Sequence, residues 1–463
     1  MPTRNAHSAR AASFKMKTKT TISRRRFLSR TSTAALAGAV VPTILPSGIL
    51  GAPGQPGAND RIAIGFIGIG RQASSLLGSA VRLKVAQIAG FADVNLPRAQ
   101  QNAAKHNAFA CQDYRKLLER KDIDAIVTAT PEHWRIMIVL HALQAGKDMY
   151  VEKPMTLTIR EGRLMVQAAR KYKRILQVGS QQRSEPIDIA ACEFVRSGGL
   201  GKLSKVECAN YPSPWEYKLP EEPTPEGLDW NMWCGPAPLV PFTRSLYVPR
   251  EVGRPGTPQF AAPGWLSFRA HSGGEVTGWG AHGFDMIQYA LGMDESGPVE
   301  IWPEGGKFAP PLYEKPEGKK RGDGIASEPR VFFKYANGLV VEPTQKDFSG
   351  GTFHGEKGWL KIMRGRVESE PEDIAEKLMR ERPKVDGDHI AHWLRCIKSR
   401  QKPNSDVEIG HRSATVCHLV NITRWTSRKL KWDPVQEQFI GDTAANQYLD
   451  RERRKGFEVP ANL

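Results

Sequence analysis

The sequence predicts an α/β protein of two domains, the first built on a parallel sheet and the second on a largely antiparallel one. In the first half, short apolar segments alternate with helical patterns, which is typical of parallel strands buried on both faces. The first apolar segment, residues 61–67, runs directly into a glycine-containing turn that opens a helix. In the second half, short segments of alternating polarity are joined by turn signals such as Asn337-Gly338, which favour antiparallel pairing.

Size, charge and cysteine usage exclude several classes of protein. The 463 residues, of which 40% are hydrophobic, favour two domains over one. Residues 1–58 contain nine lysines and arginines and no acidic residue, which leaves +8 of the net charge of +17 for the rest. Because the excess is concentrated at one end, we expect no nucleic-acid partner. Six scattered cysteines without a C-x-x-C pair predict neither a disulfide framework nor a metal site.

The basic N-terminal region is typical of an export signal. Residues 23–28 read S-R-R-R-F-L, which matches the twin-arginine pattern, and a modestly apolar run follows. Pro42 and Pro46 interrupt that run, so we expect no stable membrane span. The alternative is a disordered basic tail. We predict that residues 1–58 are a twin-arginine signal and linker, and that the protein is periplasmic or otherwise extracytoplasmic.

The turn after the first strand has the pattern of a dinucleotide-binding loop. Gly68 permits the tight turn, Gly70 lets the backbone approach a pyrophosphate, and Ala73 allows close packing of helix and strand. A second strand, residues 85–92, ends at Asp93, whose carboxylate would bind an adenosine ribose and disfavour a 2′-phosphate. NAD is therefore the expected cofactor, with NADP the less favoured one. The residues predicted to bind it here are Gly68, Ile69, Gly70, Arg71, Gln72 and Asp93.

Strands and helices continue to alternate as far as residue 183. We predict helices at 113–118, 131–143 and 158–172, the last of them opened by a capping box, and strands at 124–130 and 175–178. The predicted nucleotide-binding domain thus covers residues 59–183. Its most informative segment is Glu152-Lys153-Pro154, which follows a short apolar strand. Ligands bind at the carboxyl ends of such strands, although a solvated ion pair is the simpler interpretation.

The second domain, predicted at residues 184–463, contains an unusual insertion. A helix at 187–195 and a strand at 203–209 precede it, and residues 210–264 then contain twelve prolines and three tryptophans. Two interpretations stay open: aromatic faces over a sugar-binding cleft, or an insertion that packs on its own body or on a neighbouring subunit. Further on, helices are predicted at 389–397 and 410–430. We expect the tail after residue 432 to wrap the body or a partner.

A glycine-rich stretch at residues 271–285 is the second segment that indicates chemistry. Its glycines would let the backbone approach a ligand, and His282 and Asp285 fall on one face of the helix that follows. A histidine in this setting is often structural. We nevertheless expect His282 to take part in catalysis or substrate binding.

These motifs together resemble the glucose–fructose oxidoreductase / inositol dehydrogenase (Gfo/Idh/MocA) family. The resemblance rests on the glycine turn, on the A-T-P-E-H-W sequence at residues 129–134 and on Glu152-Lys153-Pro154. It implies a Rossmann domain followed by an α/β domain whose open sheet carries the substrate pocket. It also places Lys153 near the nicotinamide ribose and the reacting hydroxyl. The further cofactor contacts that it implies are Thr130, Pro131, His133, Glu152, Lys153 and Pro154.

The chain departs from the family pattern at one position. The D-x-G-x-H-x-x-D motif aligns with Gly278, Gly280, His282 and Asp285, so a glycine stands where polyol dehydrogenases of the family carry an acid. That departure puts a Lys–Asp–His arrangement in doubt. Either Glu275 or Asp285 would then have to orient His282.

The predicted function is NAD(P)-dependent oxidation or reduction of a CH–OH group on a sugar, sugar derivative or cyclitol. Lys153 would polarise the reacting oxygen and relay its proton, with His282 as partner. Because free NAD is scarce outside the cytoplasm, an exported enzyme would hold its cofactor tightly. We expect a homo-oligomer with a small carbohydrate substrate. The predicted substrate contacts are Trp134, Arg183, Trp279, His282 and Asp285.

Two alternatives belong to other classes. The first is a glycoside hydrolase that oxidises, eliminates, adds water and reduces back, as some relatives in this superfamily are thought to do. The second is a non-enzymatic sugar-binding or scaffold protein, which the missing acid at Gly278 motivates. Bound nucleotide would favour the two enzymes over the scaffold.

Overall fold

The structure is a computed structural model that describes residues 57, 60–247, 264–314, 329–344 and 350–460. The predicted twin-arginine signal lies outside the described residues. Among the described residues, no helix is both long and apolar enough to cross a membrane. In the same part of the chain, no group of three or more histidine, cysteine or acidic residues is arranged to hold a metal ion.

The first sheet has six parallel strands in the order β3-β2-β1-β4-β5-β6. The order reverses at β1, so the carboxyl ends of β1 and β4 border the crevice where ligands bind in such sheets. All of β1 is buried, which explains its unbroken apolar sequence. The strands are β1 (Ile62–Ile67), β2 (Ala86–Ala92), β3 (Phe109–Cys111), β4 (Ala125–Thr128), β5 (Asp148–Val151) and β6 (Leu176–Val178).

The helices of this domain pack against the sheet. In the first of them the spacing of Ala73, Leu76, Leu77 and Ala80 places four buried side chains on a single stripe. The helices are α1 (Arg71–Arg82), α2 (Leu96–His106), α3 (Tyr114–Leu118), α4 (Glu132–Gln144) and α5 (Ile159–Lys171). The predicted capping box is formed in part, because the Thr158 side chain accepts from the amide of Glu161 at 3.4 Å.

The second sheet has nine strands, in the order β15-β14-β13-β7-β12-β11-β9-β16-β17. Among its described pairs, only β7 with β12 is parallel and the others are antiparallel. The predicted fold class is therefore confirmed. Its strands are β7 (Leu203–Ala209), β9 (Glu300–Glu304), β11 (Arg330–Lys334), β12 (Val340–Thr344), β13 (Gly351–Gly355), β14 (Gly358–Met363), β15 (Arg366–Glu370), β16 (Leu430–Asp433) and β17 (Gln438–Phe439); β8 (Glu216–Tyr217) and β10 (Leu312–Tyr313) pair separately.

Helices of the second domain cover the inner face of this sheet. Phe284 and Ile287 of one helix share a hydrophobic core with Phe353 of the sheet and Val416 of another helix. The helices are α6 (Pro186–Arg196), α7 (Trp230–Cys234), α8 (Arg244–Tyr247), α9 (Glu275–Gly278), α10 (Gly280–Ala290), α11 (Asp373–Glu381), α12 (His389–Ser399), α13 (Val407–Thr426) and α14 (Thr443–Asn446).

Helix α13 and strand β3 differ from the sequence-based expectations. Helix α13 begins and ends earlier than predicted, because Asp406 caps its first turn and Ser427 adopts a left-handed conformation (φ 52°) that ends it. Leu430, expected in that helix, instead begins strand β16. Strand β3 is not predicted at all, since three residues are too few to show a period.

Candidate active site

A cavity opens at the carboxyl ends of β1, β2 and β4. It encloses about 770 Å³ of space that is continuous with solvent, and both domains contribute to its walls. Gly68, Ile69 and Gly70 line it from the glycine loop, with Asp93 and Thr130 from the neighbouring strand ends. The loop between the sheet and the first helix thus faces open space, as a nucleotide-binding loop requires.

The glycine loop has the geometry that a pyrophosphate needs. Gly68 has a φ of +78°, and a Cβ there would lie 2.5 Å from the Thr130 Cγ2 atom. A Cβ on Gly70 would meet no atom within 4 Å, so this backbone faces open space. Helix α1 has no acidic residue in its first turn and no side-chain cap at Gly70. Its N-terminal amides can therefore receive an anion. Arg71 and Gln72 are the first two residues of this helix.

Asp93 connects the end of β2 to the glycine loop. One carboxylate oxygen accepts from the Ile69 amide at 2.8 Å, and the other accepts from the Asn95 amide at 2.9 Å. The guanidinium of Arg98 lies 3.4 Å from the first of these oxygens. Since Asp93 also lines the cavity, its carboxylate is available to a ribose while it holds the loop in place.

The predicted cofactor residues after β4 lie at the start of α4. Thr130 and Pro131 line the cavity, as does the indole of Trp134. His133 does not line the cavity; its Nε2 atom is 3.0 Å from the Trp233 carbonyl oxygen. Burial lowers the pKa of His133 to about 3, so its imidazole is neutral. The structure therefore places Trp134 with the cofactor residues and His133 behind them.

The Glu152 carboxylate links the glycine loop to the end of β5. It accepts from the Gln72 side chain at 3.0 Å and from the Gln181 side chain at 2.6 Å, and also from the Lys153 amide at 3.1 Å. Gly179 leaves room for it, because a Cβ there would lie 2.7 Å from a Glu152 oxygen. Glu152 is buried. It consequently fixes the backbone direction of Lys153.

Lys153 reaches from the first domain to the second. Its Nζ atom donates to the Gly278 carbonyl oxygen at 2.9 Å, and the next residue, Pro154, follows a cis peptide bond. Burial lowers the pKa of this amine. The charge of Glu152 opposes the shift, whereas those of Arg135 and Arg364 add to it.

The carboxylate of Glu275 occupies the space beside Gly278, where the family carries an acid. A Cβ on Gly278 would lie 2.8 Å from the Oε2 atom of Glu275, so this carboxylate fills the space that a side chain at 278 would enter. Glu275 is buried, and its charge raises the pKa of Lys153. Of the two acids predicted to orient His282, Glu275 is thus the one beside Gly278.

His282 lies on the first turn of α10 and is buried. Burial lowers its pKa well below the usual range, and the positive charges of Lys153 and Arg364 lower it further. The ring centre of Trp279 is 5.8 Å from that of His282, and the Trp279 side chain is 44% exposed. A neutral imidazole and an exposed indole therefore stand side by side next to Lys153.

Arg183 and Asp285 are paired with each other. The Arg183 Nε atom donates to both Asp285 oxygens at 2.9 and 3.0 Å, and Ser413 donates to one of them at 2.6 Å. Both charged side chains are only 2% exposed. The pair joins the end of the nucleotide-binding domain to helix α10. This arrangement favours a role in positioning His282 over direct contact with a substrate.

Three residues near the site are not among those predicted from the sequence, although Glu132 lies within the A-T-P-E-H-W sequence. Arg364 is exposed in the turn between β14 and β15, far from any motif. Glu132 is fully buried and accepts from Ser272, Gly273 and Thr277, so it fastens the glycine-rich stretch to α4. Arg135 donates to the carbonyl oxygens of Thr130 and Glu152, and to that of Pro154. For Glu132 and Arg135, the sequence signal is a charged residue within an otherwise apolar helix, α4.

The described part of the proline-rich insertion packs on this chain's own nucleotide-binding domain. Trp230 and Trp233 stack with ring centres 4.4 Å apart inside an aromatic cluster. Met232, Trp233, Tyr247 and Trp265 line the cavity opposite the glycine loop. Of the two interpretations left open by the sequence, the described residues favour packing on the body. Residues 248–263 lie outside the described part.

Two protein-family models match the chain. One, described as an oxidoreductase family with an NAD-binding Rossmann fold, matches residues 62–180. The other, described as the C-terminal α/β domain of an oxidoreductase family, matches residues 202–459, which is more than half of the chain. Both models are those of the Gfo/Idh/MocA group.

Individual relatives are more distant. A glycosyl hydrolase family 109 protein from Shewanella baltica is 28% identical over 160 residues, which cover 32% of this chain and 35% of the relative. The match therefore spans about a third of the length of that relative.

Among solved structures, an aldose-aldose oxidoreductase from Caulobacter crescentus, complexed with glycerol, superposes with a TM-score of 0.55 at 16% identity. The match covers 80% of this chain and 99% of the Caulobacter crescentus chain. The WlbA dehydrogenase from Bordetella pertussis, in complex with NADH and UDP-GlcNAcA, has a TM-score of 0.55 at 17% identity. The match covers 81% of this chain and 99% of the WlbA chain. At these identities the likeness shows a shared fold.

Proposed function

The chain belongs to the Gfo/Idh/MocA oxidoreductase family, and on that premise we propose that it uses NAD to oxidise or reduce a CH–OH group of a sugar, sugar derivative or cyclitol. The position of Lys153 carries the proposal. Its amine bonds to the Gly278 carbonyl of the second domain, while the adjacent Glu152 bonds to Gln72 of the glycine-loop helix. The amine thus stands between the nucleotide-binding loop and the domain that would hold the substrate.

Lys153 and His282 would handle the proton of the reacting hydroxyl. When bound, NAD supplies hydride chemistry. In the direction of oxidation, the neutral amine of Lys153 accepts the hydroxyl proton; burial favours that neutral form. His282, which burial also keeps neutral, offers a second hydrogen bond to the same oxygen.

Glu275 would take over the role of the acid that is absent at position 278. Its carboxylate lies beside Gly278, and its charge opposes the loss of the Lys153 proton. Burial lowers the pKa of Lys153 and the nearby carboxylate partly offsets that shift, so the amine loses its proton at a lower pH than an exposed lysine does. This arrangement weakens the case for a non-enzymatic scaffold, which rested on the missing acid.

The substrate would lie against Trp279, His282 and Arg364. An exposed indole beside a polar site suits the apolar C–H face of a sugar ring. Arg364 adds an exposed guanidinium whose charge affects both Lys153 and His282. We assign Arg183 and Asp285 a positioning role, because they pair with each other.

We expect NAD to be preferred over NADP. The buried Asp93 carboxylate would repel a 2′-phosphate. Arg98 is 3.4 Å from that carboxylate and is engaged with it, so its charge is already compensated. Comparing the dissociation constants of the two nucleotides tests this preference.

A second candidate is a glycoside hydrolase that uses transient oxidation. The relatives named as glycosyl hydrolase family 109 proteins are the observation that favours it. Such an enzyme would oxidise and later reduce the same molecule, so it would need the same Lys153 and nucleotide site. Its product would be a cleaved glycoside without net formation of NADH.

One experiment separates these functions. The purified protein is analysed for bound nucleotide, then loaded with NAD and screened against free sugars, cyclitols and glycosides. A keto-sugar formed in equal amount with NADH supports the dehydrogenase, whereas glycoside cleavage without net NADH supports the hydrolase. A protein that binds sugar but neither NAD nor NADP would contradict both enzymes.

We also propose export by the twin-arginine route, which the S-R-R-R-F-L sequence at residues 23–28 supports. Replacing both Arg24 and Arg25 by lysine would then retain the protein in the cytoplasm of a twin-arginine-competent host. Equal extracytoplasmic amounts of the two forms would contradict this proposal. Because this route carries folded proteins, it suits a protein that loads its cofactor before export.

A further inference from the structure

The insertion from the second domain is hydrogen-bonded to the nucleotide-binding domain along one edge of the cavity. Its residues 228–247, here called the cover segment, begin with a short bridge between Asn95 and Leu228. The Asp229 amide donates to the Val94 carbonyl oxygen at 2.9 Å. Just before the segment, Gly227 accepts from the Leu96 amide at 3.0 Å. The backbone after β2, which carries Asp93, is thus bonded directly to the cover segment.

The middle of the cover segment is held by the start of α4. The Trp134 indole nitrogen donates to the carbonyl oxygens of Met232 at 2.8 Å and Trp233 at 2.9 Å. His133 bonds to the same Trp233 carbonyl. A Cβ on Gly235 would lie 2.2 Å from the Trp134 ring, so this glycine allows the close approach. Buried hydrogen bonds of this kind hold a segment in one place.

The end of the cover segment is held at the ribose side of the cavity. The Tyr247 hydroxyl accepts from the Arg98 guanidinium at 2.8 Å and from the Asn95 side chain at 3.2 Å. Arg98 in turn lies 3.4 Å from the Asp93 carboxylate. The acid that would bind the ribose is therefore connected through Arg98 to the last residue of the cover segment.

The cover segment also forms a wall of the cavity. Met232, Trp233 and Tyr247 line the side opposite the glycine loop, and Trp265 adjoins them. Aromatic and thioether groups of this kind suit the flat, apolar face of an adenine ring. A nucleotide bound at Asp93 and Gly70 would consequently lie between the sheet and the cover segment.

We propose that the cover segment retains the dinucleotide between turnovers, with the Asp93–Arg98–Tyr247 connection as its closing contact. The proposal rests on the proposed nucleotide-dependent function and adds to it residues that no motif indicates. Release of the nucleotide would require the cover segment to separate from Arg98 and Asn95. Dissociation is then slow, and oxidised cofactor is restored in place when the carbonyl group of a second sugar, or of the first product, takes up the hydride and a proton.

The test is the rate at which the full-length protein, loaded with labelled NAD, loses the label into excess unlabelled NAD. Tyr247→Phe removes the hydroxyl that accepts two hydrogen bonds and keeps the ring. We expect the dissociation rate to rise about tenfold, since one of these bonds involves a charged donor. Tyr448→Phe, in a separate cavity, is the matched control and should leave the rate unchanged.

A second variant distinguishes loss of the contact between Arg98 and Tyr247 from a general loss of structure. Arg98→Met should also speed dissociation. Adding Tyr247→Phe to it should cause less than the additive increase, because the bond between the two residues is already lost and only the bond from Asn95 remains to be removed. The association rate should stay equal or rise, whereas a merely structural defect would lower it. Fully additive effects, or an unchanged dissociation rate in Tyr247→Phe, would overturn the proposal.

The outcomes also separate this proposal from the proposed function. If the wild-type protein binds NAD but exchanges it as fast as the Tyr247→Phe variant, retention by the cover segment is wrong and the oxidoreductase function stands. If the wild-type protein binds neither NAD nor NADP, the proposed function is wrong, and retention of a nucleotide by the cover segment is wrong with it. Slow exchange that Tyr247→Phe accelerates supports both.

Discussion

Lys153 is a charged side chain in a poorly solvated place, and this explains its proposed chemistry. Burial lowers its pKa, and only Glu152 and Glu275 oppose the shift among its principal influences. Its one described side-chain hydrogen bond goes to a backbone carbonyl oxygen, Gly278 O, which a substrate hydroxyl can replace. The amine is therefore held in position without being neutralised by a salt bridge.

Replacing Lys153 by methionine tests this role. Lys153→Met keeps the length of the side chain but removes the proton acceptor, so we expect turnover to fall at least about a hundredfold. NAD affinity should be retained, because the glycine loop and Asp93 are untouched. Steady-state kinetics with a nucleotide titration measure both quantities. Lys171→Met, on the exposed face of α5, is the control, and unchanged turnover in Lys153→Met would remove the lysine from the mechanism.

Glu275 should set the pH at which Lys153 works. Its negative charge raises the pKa of the lysine, so Glu275→Gln should lower that pKa. Since oxidation requires the neutral amine, the rise of kcat/KM with pH should move to lower pH in the variant. Glu119→Gln, in an exposed ion pair with Lys116, is the control. A pH profile that does not move, or that moves to higher pH, would contradict the assignment.

At the residue scale, site residues that belong to a contiguous motif were predictable. Residues that only the fold brings to the site were not. Gly68, Gly70 and Asp93 follow strands directly, so their positions are given by local sequence alone. The Glu275 carboxylate reaches the space beside Gly278 from one helical turn away, which depends on a side-chain conformation. Arg364 comes from a turn between two strands, and only the order of the second sheet brings it to Lys153.

At the scale of elements, the glycine-rich stretch is held in place by helix α4. Glu132 lies in the first turn of α4 and accepts from the Ser272 hydroxyl at 2.6 Å, the Gly273 amide at 3.0 Å and the Thr277 hydroxyl at 3.1 Å. Asn421 of α13 donates to the Gly273 carbonyl oxygen from the other side. The carbonyl of Gly278 is thereby fixed relative to Lys153.

Removing the Glu132 carboxylate should loosen this element. Glu132→Ala leaves the buried Ser272 hydroxyl and Gly273 amide without their acceptor, while the Thr277 hydroxyl keeps the Gly274 carbonyl oxygen. We expect a loss of about 2–4 kcal/mol in the free energy of unfolding. Turnover should fall as well, because Gly278 and His282 shift away from Lys153. Urea unfolding and steady-state kinetics measure the two effects. Glu119→Ala, a surface change, should cost less than about 0.5 kcal/mol, and an equal cost in both variants would contradict this account.

Helices and strands with a clear hydrophobic periodicity were predicted. Short elements, and elements whose conformation depends on tertiary contacts, were not. The strand at β1 and the helix at α4 follow from long apolar runs, and the start of α5 follows from Thr158 and Glu161. The three-residue strand β3 and the cover segment have no period, because tertiary contacts decide their conformation. The two interpretations of the insertion differed only in where its tryptophans pack, which no local pattern determines.

At the scale of the whole molecule, one helix and the C-terminal tail join the two domains. Helix α13 contributes Val407 to the core of the nucleotide-binding domain and Val416 to that of the second domain. In the tail, Arg451 and Arg453 bond to the buried Glu161 of α5 at 2.9 and 3.0 Å. These contacts attach the tail to the nucleotide-binding domain. Such cross-links favour a fixed geometry between the nucleotide site and the second sheet.

The fold class followed from the sequence because each domain repeats one simple pattern many times. The relation between the domains did not, since it depends on single contacts such as that between Lys153 and the Gly278 carbonyl. For the same reason no motif in the sequence indicates the substrate. The exposed groups proposed to contact it, Trp279 and Arg364 among them, come from different parts of the second domain.

The most direct test of the central claim follows a single hydrogen atom. A sugar found in the screen is labelled with deuterium at the carbon that bears the reacting hydroxyl and is mixed with the NAD-loaded protein for one turnover. We predict that the deuterium appears on the bound nucleotide, and that Lys153→Met slows its transfer at least about a hundredfold. Conversion of the labelled sugar without any transfer of deuterium to the nucleotide would contradict the account.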